Sequence, residues 1–304
     1  MPSIRTLKIF LTVAQLGSFA AAGKAVGLTA AAVGLQMRAL EAELGQPLFD
    51  RSARAVVLNP AGRQLMLPMK DLVDRYDALA DAGRGEADGP LQGTVVMGAL
   101  VSALMGAFAD ALWAIKRQHP GLEVTLLAGQ SADFSQRVEQ GELDAAVVTQ
   151  SPVRLATNLV WTALYREPMV LIAPRRPHFE LPTKPRAVLE RCPFMRFDRR
   201  TWTGHLVDQA LAQSGASVQE GMELNSVEAI VALVRQGFGV SIVPQLANLQ
   251  WSRDRALQIL PLPQVTVQRH VGLLERQRHG RERFTAALKA YFAAGTAAHR
   301  TRRK

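Results

Sequence analysis

A two-part α/β fold is predicted by three observations. Up to residue 82 the apolar side chains recur at helical spacing. The stretch Gly83-Arg84-Gly85-Glu86-Ala87-Asp88-Gly89-Pro90 is then poor in apolar residues and rich in helix breakers, which marks a domain boundary. Beyond residue 90, short β-rich runs alternate with amphipathic helices, and apolar strands separated by helices imply a parallel sheet covered on both faces. With 304 residues, 48% of them apolar and 20% charged, the chain can bury more than one core and falls outside the disordered and collagen-like classes.

The first helix carries Ile4, Leu7, Phe10, Leu11 and Ala14 on one face and stops at Gly17. Ser18 then N-caps a short helix, Phe19–Val26, whose alanines at 20, 21, 22 and 25 permit close helix crossing. Gly27-Leu28 makes a turn, and Thr29 caps a third helix with the core stripe Val33, Met37, Leu40 and Leu44, ending at Gly45. Helix, tight turn and helix make a helix-turn-helix unit, whose second helix can enter the DNA major groove. A small structural bundle is the bland alternative for these three helices alone.

The segment after Gly45 favours the DNA reading. Ser52–Leu58 reads as a short ribbon with Arg54 at its tip, the wing of a winged helix-turn-helix, and Asn59-Pro60 supplies an N-cap and N1 proline for a long helix. Leu65, Leu72 and Leu79 recur every seven residues there, with Met69 and Tyr76 beside them, a seam suited to a partner helix. A homodimer is therefore expected. Pro68 interrupts the pattern, so regular helix is expected only after it.

In the second part, Thr94–Ala99, Glu123–Leu127 and Ala145–Thr149 read as strands. One helix bearing Leu104, Phe108, Leu112 and Ile115 and another over Ser131–Gln140 lie between them. A second α/β run has strands near Met169–Ala173, Phe194–Phe197, Glu220–Leu224 and Val240–Val243, with helices near 204–213 and 226–236. A last strand near Val267–Leu274 and helix near Arg281–Ala294 return to the first lobe.

Charge supports a polyanionic partner: the chain carries +10 overall. Residues 1–65 hold seven basic groups against three acidic, and residues 266–304 hold ten against two, ending in a basic tail that reads as a solvated terminus. One cysteine, Cys192, excludes an internal disulfide and a thiolate metal cluster, and it reads as a small buried residue. No apolar run approaches the ~18–20 residues that cross a bilayer, and no secretory signal opens the chain, so a cytoplasmic location without membrane partners is expected. The six histidines lack metal-ligand spacing, and neither a phosphate loop nor a nucleophile elbow is present, so no catalytic residue, metal or cofactor is assigned.

Taken together, Phe10-x-x-Val13-Ala14-x-x-Gly17-Ser18-Phe19, Ala21-Ala22, Leu40-Glu41-x-Glu43-Leu44-Gly45-x-Pro47-Leu48-Phe49-Asp50-Arg51 and Leu58-Asn59-x-Ala61-Gly62 resemble the DNA-binding domain of LysR-type transcriptional regulators. The remainder is similar to that family's effector-binding domain through Gly141-Glu142-Leu143-Asp144 and Gly237-Phe238-Gly239-Val240-Ser241-Ile242-Val243-Pro244. The resemblance implies an α/β chain with an N-terminal winged helix-turn-helix (1–60), a linker and dimerisation helix with hinge (61–90), and a two-lobed α/β effector-binding domain (91–304). That domain would resemble a type 2 periplasmic binding protein, with lobe I at 91–162 plus 266–304 and lobe II at 163–265. It implies a homotetramer built from homodimers that binds double-stranded promoter DNA and a small-molecule effector, with RNA polymerase as a further expected contact. A small-molecule-binding α/β module without DNA function is the rival.

The expected DNA-binding residues are Lys24, Thr29, Ala30, Ala31, Gly34, Arg38, Arg51, Arg54 and Arg63. Members of the family usually begin the third helix with Ser-Gln-Pro-Ala-Val-Ser, whereas Thr29-Ala30-Ala31-Ala32-Val33-Gly34 stands here. The glutamine and the second serine are missing, so phosphate contacts are expected to supply much of the affinity. Effectors of an open sheet collect beyond the strands' carboxyl ends, at helix N-termini. That places Val101 and Ser102, Gln130 and Ser131, and Thr149 in one lobe. In the other it places Phe197, Asp198 and Arg199, with Ser226 in the first turn of a helix that Asn225 caps in a box with Glu228. Arg199 points to an anionic effector, while Arg196 and Arg200 read equally well as surface charges.

Overall fold

The computed structural model describes residues 3–50, 56–83, 89–246, 251–262 and 264–301. Three helices open the chain: α1 (Ile4–Leu16), α2 (Phe19–Val26) and α3 (Ala30–Leu44). Ser3, Ser18 and Thr29 each accept a backbone N–H in their helix's first turn, while Gly17, Gly27 and Gly45 close the helices in the left-handed conformation. Strands β1 (Phe49–Asp50) and β2 (Val57–Leu58) pair antiparallel as the base of the wing. Arg51 and Arg54 lie outside the described residues. Phe10, Val33, Met37, Leu40 and Leu48 fill this domain's core, which extends to Met66, Met69 and Val73 of the long helix α4 (Pro60–Gly83). Contrary to expectation, α4 runs through Pro68 as one continuous helix. Pro68 and Gln64 are both exposed, so the carbonyl that the missing N–H would have met is left to solvent rather than to a dry core.

Lobe I follows with β3 (Gly93–Ala99), α5 (Val101–Leu104), α6 (Ala107–Gln118), β4 (Leu122–Ala128), α7 (Ser131–Glu139) and β5 (Ala145–Thr149). The single helix expected over 104–115 is divided at Gly106, which caps α6. Next comes β6 (Leu159–Pro174), a 16-residue strand of which only the second half was expected. Lobe II comprises α8 (Pro185–Arg191), β7 (Pro193–Phe197), α9 (Trp202–Ser214), β8 (Gln219–Leu224), α10 (Val227–Arg235), β9 (Ser241–Pro244) and β10 (Leu257–Leu260). The chain returns through β11 (Gln268–Arg276) and α11 (Glu282–Thr301), and Phe284 and Leu288 of α11 enter the lobe I core.

The sheet is not purely parallel. β3 pairs parallel with β4 and β5, but β11 is antiparallel to both β5 and β6. From Leu159 to Pro168 β6 pairs with β11, and from Met169 it pairs antiparallel with β9 and β10. The lobes therefore exchange a strand at Pro168, and residues 163–168 lie in the lobe I sheet. β5 and β6 are each antiparallel to β11, which lies between them, so they run parallel to each other, and the helix-free segment 150–158 is a crossover past β11 rather than a hairpin.

Candidate DNA-binding face and effector cleft

Helices α2 and α3 meet at 102°, a helix-turn-helix angle. The turn is close because Gly23 has no side chain: a Cβ there would lie 2.6 Å from the Leu28 carbonyl oxygen. With Val33, Met37 and Leu40 buried, α3 turns Ala30, Ala31, Leu35 and Arg38 outward, beside the exposed Thr29 and Lys24. Gly34 sits at the edge of this face, near the Phe19 ring. Leu35 is 63% exposed, a large apolar side chain offered to whatever meets this helix. Arg63, on α4, is exposed and donates from Nη1 to the Leu58 carbonyl at the base of the wing.

Within the two-lobed domain, several of the expected cleft residues meet. Ser131 Oγ accepts the Thr149 N–H at 3.2 Å, and Thr149 Oγ1 lies 3.5 Å from Thr203 Oγ1 of lobe II. Gln130 Nε2 donates to the Asn225 carbonyl at 2.9 Å, a second bridge between lobes. Ser102 is buried and accepts from Arg269 Nη1 at 3.0 Å, while the Arg269 Nε donates to Glu167 at 2.8 Å. Arg269 and Glu167 are both 1% exposed and lie opposite each other on the strands that join the lobes. Sequence reasoning missed Thr203, Glu167 and Arg269. A charged residue inside an apolar strand is a readable signal of a buried pair, because neither charge could stay there alone.

The other expected residues take different parts. Val101 is exposed at the start of α5, and Phe197 packs in the lobe II core. Ser226, not Asn225, is the N-cap of α10: its hydroxyl accepts the Ala229 N–H and donates to Glu228 at 2.6 Å. Arg199 faces Glu220 and Glu223, so its charge is already balanced and gives no ground for an anionic effector. Asp198 is held by Arg200 through its side chain and backbone, which keeps its carboxyl below the usual range. Arg196 is not a surface charge: it is 3% exposed and paired with Asp208. A pocket of about 430 Å³ opens beside this cleft, between Gln150–Thr157 and Trp161, rather than among the expected residues.

A helix-turn-helix with an outward third helix, joined by a long helix to a two-lobed α/β domain hinged on shared strands, defines a DNA-binding regulator with a ligand-binding module. Residues 4–63 match the family description "Bacterial regulatory helix-turn-helix protein, lysR family", and residues 88–297 match "LysR substrate binding domain". The chain belongs to the LysR family of bacterial transcriptional regulators. It is 30% identical over 281 residues to the uncharacterized HTH-type transcriptional regulator YfeR of Shigella flexneri, covering 90% of this chain and 86% of that one. A probable hydrogen peroxide-inducible genes activator of Mycobacterium avium is 29% identical over 290 residues, 92% and 90% of the two chains. Full-length OxyR of Pseudomonas aeruginosa, a cysteine-to-aspartate variant, superposes with a TM-score of 0.76 at 19% identity, covering 95% of this chain and 94% of that one, and so shares the fold. The helix-turn-helix match sets aside a binding module without DNA function. No single helix among the described residues is long and apolar enough to cross a membrane.

Proposed function

We propose that this regulator binds double-stranded promoter DNA through the outward face of α3, with Thr29, Ala30, Ala31, Gly34 and Arg38 toward the bases. Lys24, Arg51, Arg54 and Arg63 would lie on phosphates or in the adjoining minor groove. The observation that carries this reading is the α2–α3 angle of 102° with a solvent-facing α3. The helix α4 makes the homodimer through Leu72, Tyr76 and Leu79, two dimers form the homotetramer, and the complex acts on RNA polymerase in the cytoplasm. The chain divides into 1–60, 61–90 and 91–304, with the lobes parting at the strand exchange. Duplex oligonucleotides selected from a random pool test the DNA reading. Selection of no duplex, or equal retention by an Arg38→Ala variant, would refute it.

A small-molecule effector occupies the cleft where Ser131, Thr149 and Ser226 surround the N-termini of α7 and α10. These helix ends, rather than Arg199, favour a carboxylate there. Ser102 acts beneath the cleft by holding Arg269. Thermal shifts with a panel of small carboxylates and their amides check the class, since a ligand of the native state must raise its apparent stability. Thr149→Ala should abolish the shift, and an undiminished shift would move the site elsewhere. Peroxide detection through an internal disulfide cannot operate in this chain, despite the M. avium relative: its one cysteine, Cys192, is buried, and burial raises its thiol pKa.

A further inference from the structure

Helix α4 presents three faces. Met66, Met69 and Val73 enter the core of the DNA-binding domain, while Leu72, Tyr76 and Leu79 are exposed. The third face, Leu67, Lys70 and Asp74, is spaced i, i+3, i+7 and lies against lobe I. Lys70 Nζ is 2.8 Å from Asp144 Oδ1, and Asp144, 2% exposed, accepts the Val96 N–H at 2.8 Å on its other oxygen. Burial alone would raise the Asp144 carboxyl, but Lys70, the Val96 N–H and Arg281 together hold it below the usual range.

Two glycines let the helix approach. A Cβ on Gly141, whose φ is +79°, would sit 2.8 Å from Leu67 Cδ1, and one on Gly280 would sit 2.4 Å from Asp74 Cγ. The Gly280 N–H instead donates to Asp74 Oδ2 at 3.1 Å. Arg276 Nη1 braces the same turn by donating to the Val138 and Leu143 carbonyls. Lys8 of α1 pairs with Asp77 at 2.7 Å, tying the helix to the DNA-binding domain on its far side.

We infer that the Gly141–Asp144 turn and Gly280 form a docking seat for the linker helix, keyed by Lys70 and Asp74, and that this seat positions the helix-turn-helix on its own lobe I. The seat is wired to the cleft by two buried strands. β5 begins directly after Asp144 and ends at Thr149, and β11 runs from beside Arg269 to Arg276, close to Gly280. Neighbouring strands of one sheet, closely packed, move as a unit rather than bending separately. Motion at the cleft is therefore delivered to the helix through Asp144 and Gly280, a step that rests on the proposed effector cleft. The seat itself does not. Short of the keys, Arg63, Gln64, Gln140 and Glu142 line a cavity of about 320 Å³, leaving the first turns of α4 room to tilt about the clamp.

The test measures the distance between domains in the full chain without DNA or effector. Spin labels on Ala39→Cys and Glu139→Cys, both exposed, report it, and the labelled chain is diluted into unlabelled protein. Cys192 is buried and escapes the label. Wild type should give one narrow distribution. Lys70→Glu, which sets a carboxylate against Asp144, and Gly280→Ala, which drives a methyl into Asp74, should each broaden it about twofold, whereas Arg75→Gln should not. Thermal melts confirm that each variant is folded, and Lys70→Gln replaces Lys70→Glu if the latter is not. Unchanged distributions in the folded variants, or a broad one in wild type, would overturn the seat. Failure of wild type to bind any DNA would refute the proposed function and leave these distances untouched.

Discussion

Glu275 shows how a single buried carboxylate sets a pH limit on the fold. Burial raises its pKa, but hydrogen bonds to His279 (3.1 Å) and Lys289 (2.6 Å) outweigh burial and bring it from 4.5 to about 2. A pKa depressed on folding contributes stability that is fully present above the unfolded value of 4.5 and is lost as pH falls toward 2. The difference corresponds to about 3 kcal/mol. Glu275→Gln should therefore lower the denaturation midpoint at pH 7 and flatten its dependence between pH 4.5 and 2.5, as read by urea titration. A variant with wild-type slope in that window would contradict the assignment. Gly23 tests the opposite kind of residue, one whose side chain is its absence. In an exposed helix interior Gly→Ala gains up to ~1 kcal/mol, but overpacking costs ~1–3, and a Cβ 2.6 Å from the Leu28 oxygen must move backbone. Gly23→Ala should weaken DNA binding while leaving effector-domain melting unchanged. Stabilisation of the DNA-binding domain would show that the turn can open.

Among the elements, those whose ends are marked by caps were the ones legible in the sequence. Ser18, Thr29, Gly17, Gly27 and Gly45 stand where the helices begin and stop, because capping is local chemistry. The first half of β6 was not legible. It alternates irregularly between buried and exposed, carries Arg166 and Glu167, and contains Pro168, a residue that normally argues against a strand. Only the partner on β11 explains it: Arg269 lies opposite Glu167. The same limit applied to the cleft, where Ser131 and Thr149 could be placed at strand ends but Thr203 and Arg269 become neighbours only through the fold. For α4 the heptad leucines were legible, and the structure leaves Leu72 at 52% and Leu79 at 74% exposure with Tyr76 between them. Full burial on a partner helix is worth ~1.5–3 kcal/mol per leucine. Replacing both with Asp should halve the mass of the assembly in light scattering without unfolding either domain, because neither side chain supports a core. An unchanged mass would remove α4 from the interface.

At the scale of the whole molecule, the net charge of +10 and the apolar α3 face make different demands on DNA. Lys and Arg on phosphates release counterions whatever the sequence, so affinity must fall steeply with salt, and removing one phosphate-contacting arginine lowers the slope of log K against log salt by about 1. Discrimination has to come from elsewhere. Ala30, Ala31 and Leu35 have no side-chain hydrogen bond to offer a base edge, and Gly34 has no side chain at all. Their match in the major groove is the thymine 5-methyl group. A narrow A·T-rich minor groove beside it would attract Arg54 through its enhanced negative potential. Replacing thymine by uracil across a selected half-site should therefore weaken specific binding several-fold while leaving non-specific affinity and its salt slope nearly unchanged. Arg54→Ala should lower both affinity and slope. If uracil has no effect and one G·C pair proves indispensable, Arg38 is reading guanine through its two acceptors. The outward alanines would then be spacers that bring that arginine to the groove floor rather than contacts in their own right.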